Sequence, residues 1–308
     1  MKSLVYKSTG SWYQVKNEAG DLLNARIKGK FKIGGLTSTN PLAVGDWVDV
    51  NVEEIAEGSV VIHHIYPRKN YITRQSPHNK HLHHIVASNL DQSILLATLK
   101  DPKTSTGFID RFLVASEAYH VPSILVFNKS DLYEKKEREK FEEIKTTYEA
   151  IGYKVLSMSL HNGNGVEEVN HLLKDKVTLL SGHSGVGKSS FINSIFPELL
   201  LKTQDVSDWS GKGLHTTTFA EMYDLPFGGK IIDTPGMREF ALMDIELHEL
   251  SHYFPEMREL INDCKFNNCM HIEEPGCAVK LAVEDGKISA SRYVGYLNIL
   301  GTIDNKKW

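Results

Sequence analysis

The chain has 308 residues, which exceeds a typical single domain and predicts two or three domains, each with its own core. Its formal net charge of −4 argues, on its own, against a nucleic-acid partner. No segment approaches the roughly 18 consecutive apolar residues of a membrane span, and the N-terminus lacks a signal-peptide pattern, so we expect a cytoplasmic protein.

The first 68 residues are predicted to form a small β-barrel. Apolar and polar residues interleave in the short stretches 11–15, 22–27, 46–52 and 59–65, with turn-forming residues between them. About five strands in so short a segment favour an OB-type barrel, although an SH3-like barrel would give almost the same pattern. Residues 1–80 carry eleven Lys and Arg against seven Asp and Glu, which suits RNA binding but also a solvated surface.

The rest of the chain divides into three segments that differ in composition and in their pattern of apolar residues. Residues 69–88 are basic and His-rich without a sustained period, and are predicted to be a linker or an extended arm. Residues 89–243 alternate buried strands with amphipathic helices, which indicates a doubly wound α/β domain. Residues 244–308 are predicted to form a mostly helical module around a cysteine cluster.

A phosphate-binding loop is the strongest motif. Residues 182–189 fit G-x-x-x-x-G-K-S/T, directly after the apolar stretch 177–180 and at the start of a predicted helix. In such a loop backbone N–H groups surround phosphate oxygens, Lys188 reaches the β- and γ-phosphates, and Ser189 ligates Mg²⁺. A chance glycine-rich turn is the alternative. The predicted phosphate-binding residues are Gly182, His183, Ser184, Gly185, Val186, Gly187, Lys188, Ser189 and Ser190.

The choice of base is assigned to N-K-x-D at Asn128, Lys129, Ser130 and Asp131. The Asp131 carboxylate can accept hydrogen bonds from guanine N1–H and the 2-amino group, which adenine does not present together. This disfavours a P-loop ATPase. The tetrapeptide alone could equally be a helix start with Asp131 as its cap.

A second base-contacting loop is predicted at Ser159, Leu160 and His161, after the strand 154–158. A backbone N–H of this loop would point at guanine O6. A plain connection between a strand and a helix remains open, because GTPases favour Ala where Leu160 stands.

Two further segments predict the switch regions. Asp233 and Gly236 fit D-x-x-G, with Asp233 holding Mg²⁺ through water and Gly236 sensing the γ-phosphate. Thr217 is the preferred threonine of the run 216–218 to complete the Mg²⁺ shell, with its two neighbours left open. Taken alone, the threonine run could be an edge strand and the D-x-x-G segment could be a turn.

The motifs occur in circularly permuted order, since N-K-x-D precedes the phosphate loop. Such an order can keep the site intact, because chain termini often lie close together. Met237 follows D-x-x-G, where Ras-like enzymes place a water-orienting Gln, so we expect slow intrinsic hydrolysis. His215 could position water or act as base; it could also merely contact a partner, and a partner could supply the group in trans.

Four metal-ligating side chains lie within fourteen residues, at Cys264, Cys269, His271 and Cys277. Three thiolates and one imidazole suit one tetrahedral structural Zn²⁺ ion. Unrelated reduced thiols are the alternative.

Together these features closely resemble the ribosome small subunit-dependent GTPase A family of permuted bacterial GTPases. The resemblance covers nearly the whole chain. The residues that carry it, besides the motifs above, are Gly45-Asp46-Trp47-Val48, Pro67-Arg68-Lys69-Asn70, Asp110-Arg111-Phe112 and Asp233 to Arg238.

The resemblance implies an OB-fold RNA-binding domain, a central GTPase and a zinc domain that contact ribosomal RNA and proteins. It also implies a monomer whose GTPase activity is stimulated by the small ribosomal subunit and times a late step of subunit maturation. His215 stands where the family has its proposed catalytic histidine. A competing hypothesis is a passive RNA-binding scaffold that holds GTP structurally.

Overall fold

The computed structural model describes residues 1–10, 12–27, 41–52, 59–75, 83–197, 220–234, 242 and 245–304. Within these residues no helix is both long enough and apolar enough to cross a membrane. The strands and helices fall into a barrel, a central sheet with helices on its faces, and a helical C-terminal part.

The barrel is closed by five strands. Its order is β1-β2-β3-β5-β4, with β4 returning to β1 and with β3 and β5 parallel, which is an OB-type arrangement. Inward-facing Val5, Val15, Val48 and Ile62 are fully buried in its core. The strands are β1 (Lys2–Ser8), β2 (Tyr13–Asn17), β3 (Leu22–Ile27), β4 (Trp47–Val52) and β5 (Ser59–Ile65).

The segment predicted as a linker contains a two-stranded antiparallel hairpin, β6 (Tyr71–Gln75) and β7 (His83–Ser88). The register shifts between Ile72 and Thr73, so both of these neighbouring side chains are buried. Because this irregularity breaks the two-residue alternation, the strand has no sequence period, and the sequence did not predict the hairpin. The exact domain boundaries stay predictions.

The doubly wound α/β domain is confirmed. Its strand order is β10-β9-β8-β11-β13-β12, parallel except for β12. The sequence did not predict β12, which is four residues long with only Met222 buried. The strands are β8 (Gln92–Ala97), β9 (Ser123–Phe127), β10 (Lys154–Ser157), β11 (Val177–Ser181), β12 (Glu221–Asp224) and β13 (Lys230–Asp233).

Four helices flank this sheet. Two of them begin at capping residues: Ser105 caps α1 by accepting from the Phe108 N–H, and Glu134 begins α2 with a capping box. Buried side chains fill the space between helices and sheet on both faces. The helices are α1 (Thr106–Ala118), α2 (Lys135–Glu149), α3 (Val166–Leu173) and α4 (Lys188–Ile195).

The barrel joins the central sheet through β1 and β12, where Lys7 pairs with Glu221. Beside this pairing, Tyr6 donates to Asp224 at 2.7 Å and Lys16 contacts the same carboxylate at 2.6 Å. Strand β12 lies between the two predicted switch segments. The barrel therefore touches the hairpin that connects them.

The C-terminal part is mostly helical, as predicted. Two short 3₁₀ turns, Leu247–Tyr253 and Ile261–Asp263, alternate with α5 (Pro255–Arg258), α6 (Ala278–Glu284) and α7 (Ala290–Asp304). Helix α7 packs against α1, and the apolar side chains of both belong to one core with the central domain.

Candidate nucleotide site and metal centre

The phosphate loop connects β11 to α4 at the carboxyl edge of the parallel sheet. Gly182 and Gly187 have φ of 145° and 100°. A side chain at Gly182 would collide with the Leu96 carbonyl oxygen, and one at Gly187 with the Asn128 amide. Glycine is therefore required at both positions, for conformation and for space.

Lys188 begins α4 and folds back over the loop, where its ammonium donates to the carbonyl oxygens of Gly182 at 2.5 Å and His183 at 3.0 Å. Burial lowers the pKa of Lys188, and the charge of Asp233 acts in the opposite direction. A desolvated cation at this point favours an anionic ligand.

Asp233 ends β13, next to the phosphate loop. Burial raises the pKa of its carboxyl group, while the Lys188 charge opposes this. Its Oδ1 is buried and has no hydrogen-bond partner among the described residues. The same holds for Asn128 Oδ1 and Ser181 Oγ at the same edge of the sheet. Such orphaned acceptors are costly unless a ligand or ion satisfies them.

The N-K-x-D loop follows β9 and meets the phosphate loop directly. The Asn128 amide is buried and donates to the Val186 carbonyl oxygen at 2.9 Å, 58 residues along the chain. Lys129 adopts a left-handed conformation with φ of 62° and donates to the Asp101 carbonyl oxygen. The loop is thus anchored on both sides.

The predicted second base loop follows β10 and touches both other loops. The buried Ser159 hydroxyl donates to Asp131 Oδ1 at 2.5 Å and accepts from the backbone N–H of His161 at 3.2 Å. A Leu160 methyl group lies close to Gly187. Ser130 and Asp131 begin a single 3₁₀ turn after Lys129, with the Asp131 carboxylate exposed at the surface of the loop.

The remaining phosphate-loop residues differ in exposure: Ser184 and Ser190 are exposed, Gly185 and Ser189 are half-buried, and Val186 is buried. Gly236, Thr217 with its neighbours Thr216 and Thr218, Met237 and His215 lie outside the described residues.

The sequence did not predict two residues near the site, Thr98 and Thr104 of the loop between β8 and α1. Thr104 lies at 2.7 Å from His183 Nε2, and its own hydroxyl accepts from the Thr98 N–H at 3.0 Å. Burial lowers the pKa of His183, and the nearby Lys188 and Lys129 charges act in the same direction. The loop between β8 and α1 carries no motif, so only its position reveals that it braces the phosphate loop.

The cysteine cluster brings its four ligand atoms within 4.8 Å of one another. His271 Nδ1 lies 3.3 Å from Cys277 Sγ and 3.6 Å from Cys264 Sγ. A tetrahedral zinc site with bonds of about 2.1 Å and 2.3 Å separates its ligand atoms by about 3.6 Å. The donor set and its spacing therefore fit a tetrahedral metal ion.

The loop around the cluster is braced by its own side chains. The Glu274 carboxylate accepts from the backbone N–H groups of Met270, Ile272 and Glu273. Tyr293 and Tyr296 of α7 donate to the carbonyl oxygens of His271 and Met270. These two hydrogen bonds hold the loop against α7.

Two family models match the chain: residues 65–243 match the RsgA GTPase model and residues 2–60 the RsgA N-terminal domain model. The chain is 54% identical over 300 residues to the small ribosomal subunit biogenesis GTPase RsgA of Cytophaga hutchinsonii, covering 97% of this chain and 98% of the relative. With the protein of the same name from Flavobacterium psychrophilum the identity is 52% over 303 residues, covering 97% and 92%.

Solved structures agree with the sequence relatives. YjeQ from Thermotoga maritima matches with a TM-score of 0.77 and 36% identity, covering 98% of each chain. YloQ, described as a circularly permuted GTPase, matches with a TM-score of 0.75 and 30% identity, covering 99% of this chain and 95% of its own. The chain therefore belongs to the RsgA GTPase family and is a circularly permuted GTPase, which converts GTP and water to GDP and phosphate.

Proposed function

We propose that this GTPase binds the small ribosomal subunit and hydrolyses GTP to time a late step of subunit maturation and its own release. The observation that carries guanine-nucleotide binding at one site is the hydrogen bond from Asn128 to the Val186 carbonyl oxygen, which ties the base-reading loop to the phosphate loop. The subunit as partner follows from the relatives' shared name, which assigns them to small-subunit biogenesis.

Guanine recognition is assigned to the loops after β9 and β10. Asp131 accepts from guanine N1–H and the 2-amino group, and Ser159 supports this role by holding one oxygen of the same carboxylate. Asn128 and Lys129 brace the loop and cover the base, and Ser130 shapes its turn. A backbone N–H of the loop 159–161, which contains Leu160, points at guanine O6.

Phosphate binding is assigned to the loop 182–190. Its backbone N–H groups and the start of α4 provide partial positive charge, to which Lys188 adds a full charge. Gly236 would sense the γ-phosphate. Lys188 stabilises the charge that develops during hydrolysis, and this makes it a catalytic residue.

Magnesium is assigned to Ser189, Thr217 and Asp233. The buried, unpartnered Asp233 Oδ1 supports this, because a hard oxygen ligand without a hydrogen bond suits a hard cation. When bound, Mg²⁺ neutralises phosphate charge and orients the phosphate oxygens for in-line attack.

Activation of the attacking water is assigned to His215 or to a group that the subunit supplies. Met237 has no hydrogen-bonding group that could orient water, so intrinsic hydrolysis is slow and the subunit accelerates it.

Structural zinc is assigned to Cys264, Cys269, His271 and Cys277. Four protein ligands leave no open coordination position, so the ion stabilises the C-terminal module and takes no part in hydrolysis. Helix α7 supports the same loop separately, through the hydrogen bonds that Tyr293 and Tyr296 donate to it.

The barrel is assigned to contact with ribosomal RNA, and the protein acts as a monomer in the cytoplasm. We place the domains at residues 1–68, 89–243 and 244–308, with residues 69–88 connecting the first two. Contact between the barrel and β12 supports communication from RNA to the switch segments that flank β12.

GTP turnover with and without isolated small subunits tests this function. We expect slow turnover alone and a large increase with subunits, while Lys188→Ala loses about a hundredfold or more in both conditions. Lys174→Ala, at an exposed lysine between α3 and the start of β11, lies at the opposite edge of the sheet from the phosphate loop; it is the control and should keep both rates.

Equal turnover with and without subunits would remove the proposed role while leaving the GTPase activity. If the Lys188→Ala variant supported subunit maturation to the same extent as the unaltered protein does, the passive-scaffold hypothesis would be favoured instead.

A further inference from the structure

The loop between β8 and α1, residues 98–105, contacts both parts of the nucleotide site. On one side, the Lys129 ammonium of the N-K-x-D loop donates to the Asp101 carbonyl oxygen. On the other side, Thr104 Oγ lies 2.7 Å from Nε2 of His183 in the phosphate loop. The loop can therefore act on a bound nucleotide through residues of the two loops that bind it.

Thr104 is held in place by Thr98, which directly follows β8, and both side chains are buried. The Thr104 N–H donates to the Thr98 carbonyl oxygen at 2.7 Å, and the Thr98 N–H donates to Thr104 Oγ at 3.0 Å. The Thr98 hydroxyl donates to the Pro102 carbonyl oxygen, which closes the turn between the two threonines. The single hydrogen of the Thr104 hydroxyl is thus directed at His183.

The contacts of His183 determine which ring nitrogen carries a hydrogen. Nδ1 lies 3.1 Å from the Ser184 carbonyl oxygen, which can only accept, so Nδ1 donates. Because burial lowers the pKa of His183, the ring is neutral at pH 7, and Nε2 accepts from the Thr104 hydroxyl. An edge-to-face contact with Phe108, at 5.6 Å between ring centroids, adds a third support. The imidazole is therefore fixed at both of its nitrogens and by a ring contact.

The fixed imidazole sets the direction of one peptide group of the phosphate loop. The Ser184 C=O points toward Nδ1 of His183, and in a planar trans peptide the Gly185 N–H points the opposite way. Gly185 has φ of 84°, a conformation that favours glycine. Its N–H makes no hydrogen bond within the part of the chain that the structure describes. This donor is therefore available to an anion.

We propose that Thr104 is a positioning residue for nucleotide binding, which acts through His183 to hold the Gly185 N–H toward the β-phosphate. The proposal rests on the proposed assignment of the phosphates to the loop 182–190, and it adds a residue that lies 79 positions from His183 and outside every motif. Backbone N–H groups of a phosphate loop surround phosphates that GTP and GDP share. Thr104 therefore contributes equally to binding of both nucleotides. An interaction of equal strength in the ground state and the transition state changes affinity and leaves the rate of hydrolysis of bound GTP unchanged.

Thr104→Val tests this role in the full chain, because valine has nearly the shape of threonine and lacks the hydroxyl. The affinities for GDP and GTP should both fall by the same factor, about five- to tenfold, since one hydrogen bond that orders the loop is lost. The single-turnover rate of hydrolysis at saturation should not change, and neither should the inhibition constant of GMP, which lacks the β-phosphate. Thr104→Ser keeps the hydroxyl and should restore most of the affinity. Fluorescence titration with labelled GDP, competition by GTP and GMP, and single-turnover hydrolysis measure these quantities.

Thr73→Val is the matched control. Thr73 is also a buried threonine, and its Oγ lies 2.7 Å from the hydroxyl of Tyr119. Tyr119 lies at the end of α1 that is remote from the phosphate loop, about 20 Å from its start. Thr73→Val and Thr104→Val should lose similar free energy of unfolding, but only Thr104→Val should lose affinity for GDP.

His183→Phe tests the same contact from its other side, because it keeps a ring next to Phe108 and removes both nitrogens. It should weaken GDP binding at least as much as Thr104→Val, and the double variant should bind no more weakly than His183→Phe alone. Should Thr104→Val fail to fold, His183→Phe decides in its place.

Four results would overturn the proposal: unchanged GDP affinity in Thr104→Val or in His183→Phe, a loss that Thr104→Ser does not restore, equal losses in Thr104→Val and Thr73→Val, or a matching loss for GMP. Lys188→Ala separates this proposal from the assignment on which it rests. If Lys188→Ala lost GDP affinity while Thr104→Val kept it, only the positioning role would be wrong. If Lys188→Ala kept GDP affinity, the assignment of the phosphates to the loop 182–190 would be wrong whatever Thr104→Val showed.

Discussion

Arg292 of α7 donates a hydrogen bond at 2.5 Å to Asp110 of α1, and both side chains are 1% exposed. Tyr148 donates to the same carboxylate at 2.7 Å, and Glu256 accepts from the other side of the guanidinium. Burial alone would lower the pKa of Arg292, but the carboxylates of Asp110 and Glu256 raise it above its ordinary value, so it stays charged. This ion pair connects the C-terminal helix to the central domain.

Arg292→Ala should lower the free energy of unfolding by about 3–5 kcal/mol, because it leaves the Asp110 carboxylate buried without its partner. Arg258→Ala is the control, since Arg258 pairs with Glu117 at an exposed position and should cost less than about 1 kcal/mol. Chemical denaturation measures both. Equal effects of the two variants would mean that the buried pair contributes no more to the free energy of unfolding than a surface ion pair does.

Asp131→Asn should move nucleotide preference from guanosine toward xanthosine. The asparagine amide can donate to the additional carbonyl oxygen of xanthine, whereas it cannot accept from both guanine donors as a carboxylate does. We expect GTP affinity to fall about ten- to hundredfold. Displacement of a labelled guanosine nucleotide by GTP and by xanthosine triphosphate measures the change.

The control for this exchange is Asp285→Asn, an exposed carboxylate of the C-terminal part that contacts Lys287. It should leave both affinities unchanged. An unaltered preference in Asp131→Asn would show that another group reads the base.

Removal of the metal should destabilise the C-terminal part more than the barrel. Elemental analysis should find one zinc ion per chain, and chelation should lower the melting temperature by about 5–15 °C. Cys264→Ser should reproduce this loss, whereas His248→Ala, at an exposed histidine, should not. A chain without metal and with unchanged melting would refute the assignment.

Asp224 predicts an acid-sensitive contact between the barrel and the central sheet. Burial alone would raise the pKa of its carboxyl group, but hydrogen bonds from Lys16, Tyr6 and Lys230 lower it from 3.8 to about 2. Because the folded pKa is depressed, the contact contributes stability above pH 3.8 and loses it as the pH falls toward 2.

Asp224→Asn should therefore be less stable than the unaltered protein at neutral pH, and the difference should shrink between pH 4 and pH 2. Thermal melting at a series of pH values measures this. A difference that is constant over that range would mean that the carboxylate charge does not matter to the contact.

The sequence by itself determined the local chemistry of this protein. The phosphate loop, the N-K-x-D loop and the cysteine cluster each lie within fourteen consecutive residues. The spacing of their residues therefore predicts the ligand that each one binds, without knowledge of the fold. Buried parallel strands such as Val177–Ser181 were also predictable, because a short continuous apolar run is typical of a strand that is covered on both faces of its sheet. The family followed from these motifs and their order.

Only the tertiary structure decided which distant segments meet. Parallel pairing of β3 with β5 distinguishes the OB-type barrel from the SH3-like alternative, and the hairpin of β6 and β7 depends on a register shift. Arg292 meets Asp110 across 182 residues, and Thr104 meets His183 across 79. Side-chain periods report how a segment is buried but not against what, because partners far apart in the chain are chosen by packing of the whole fold.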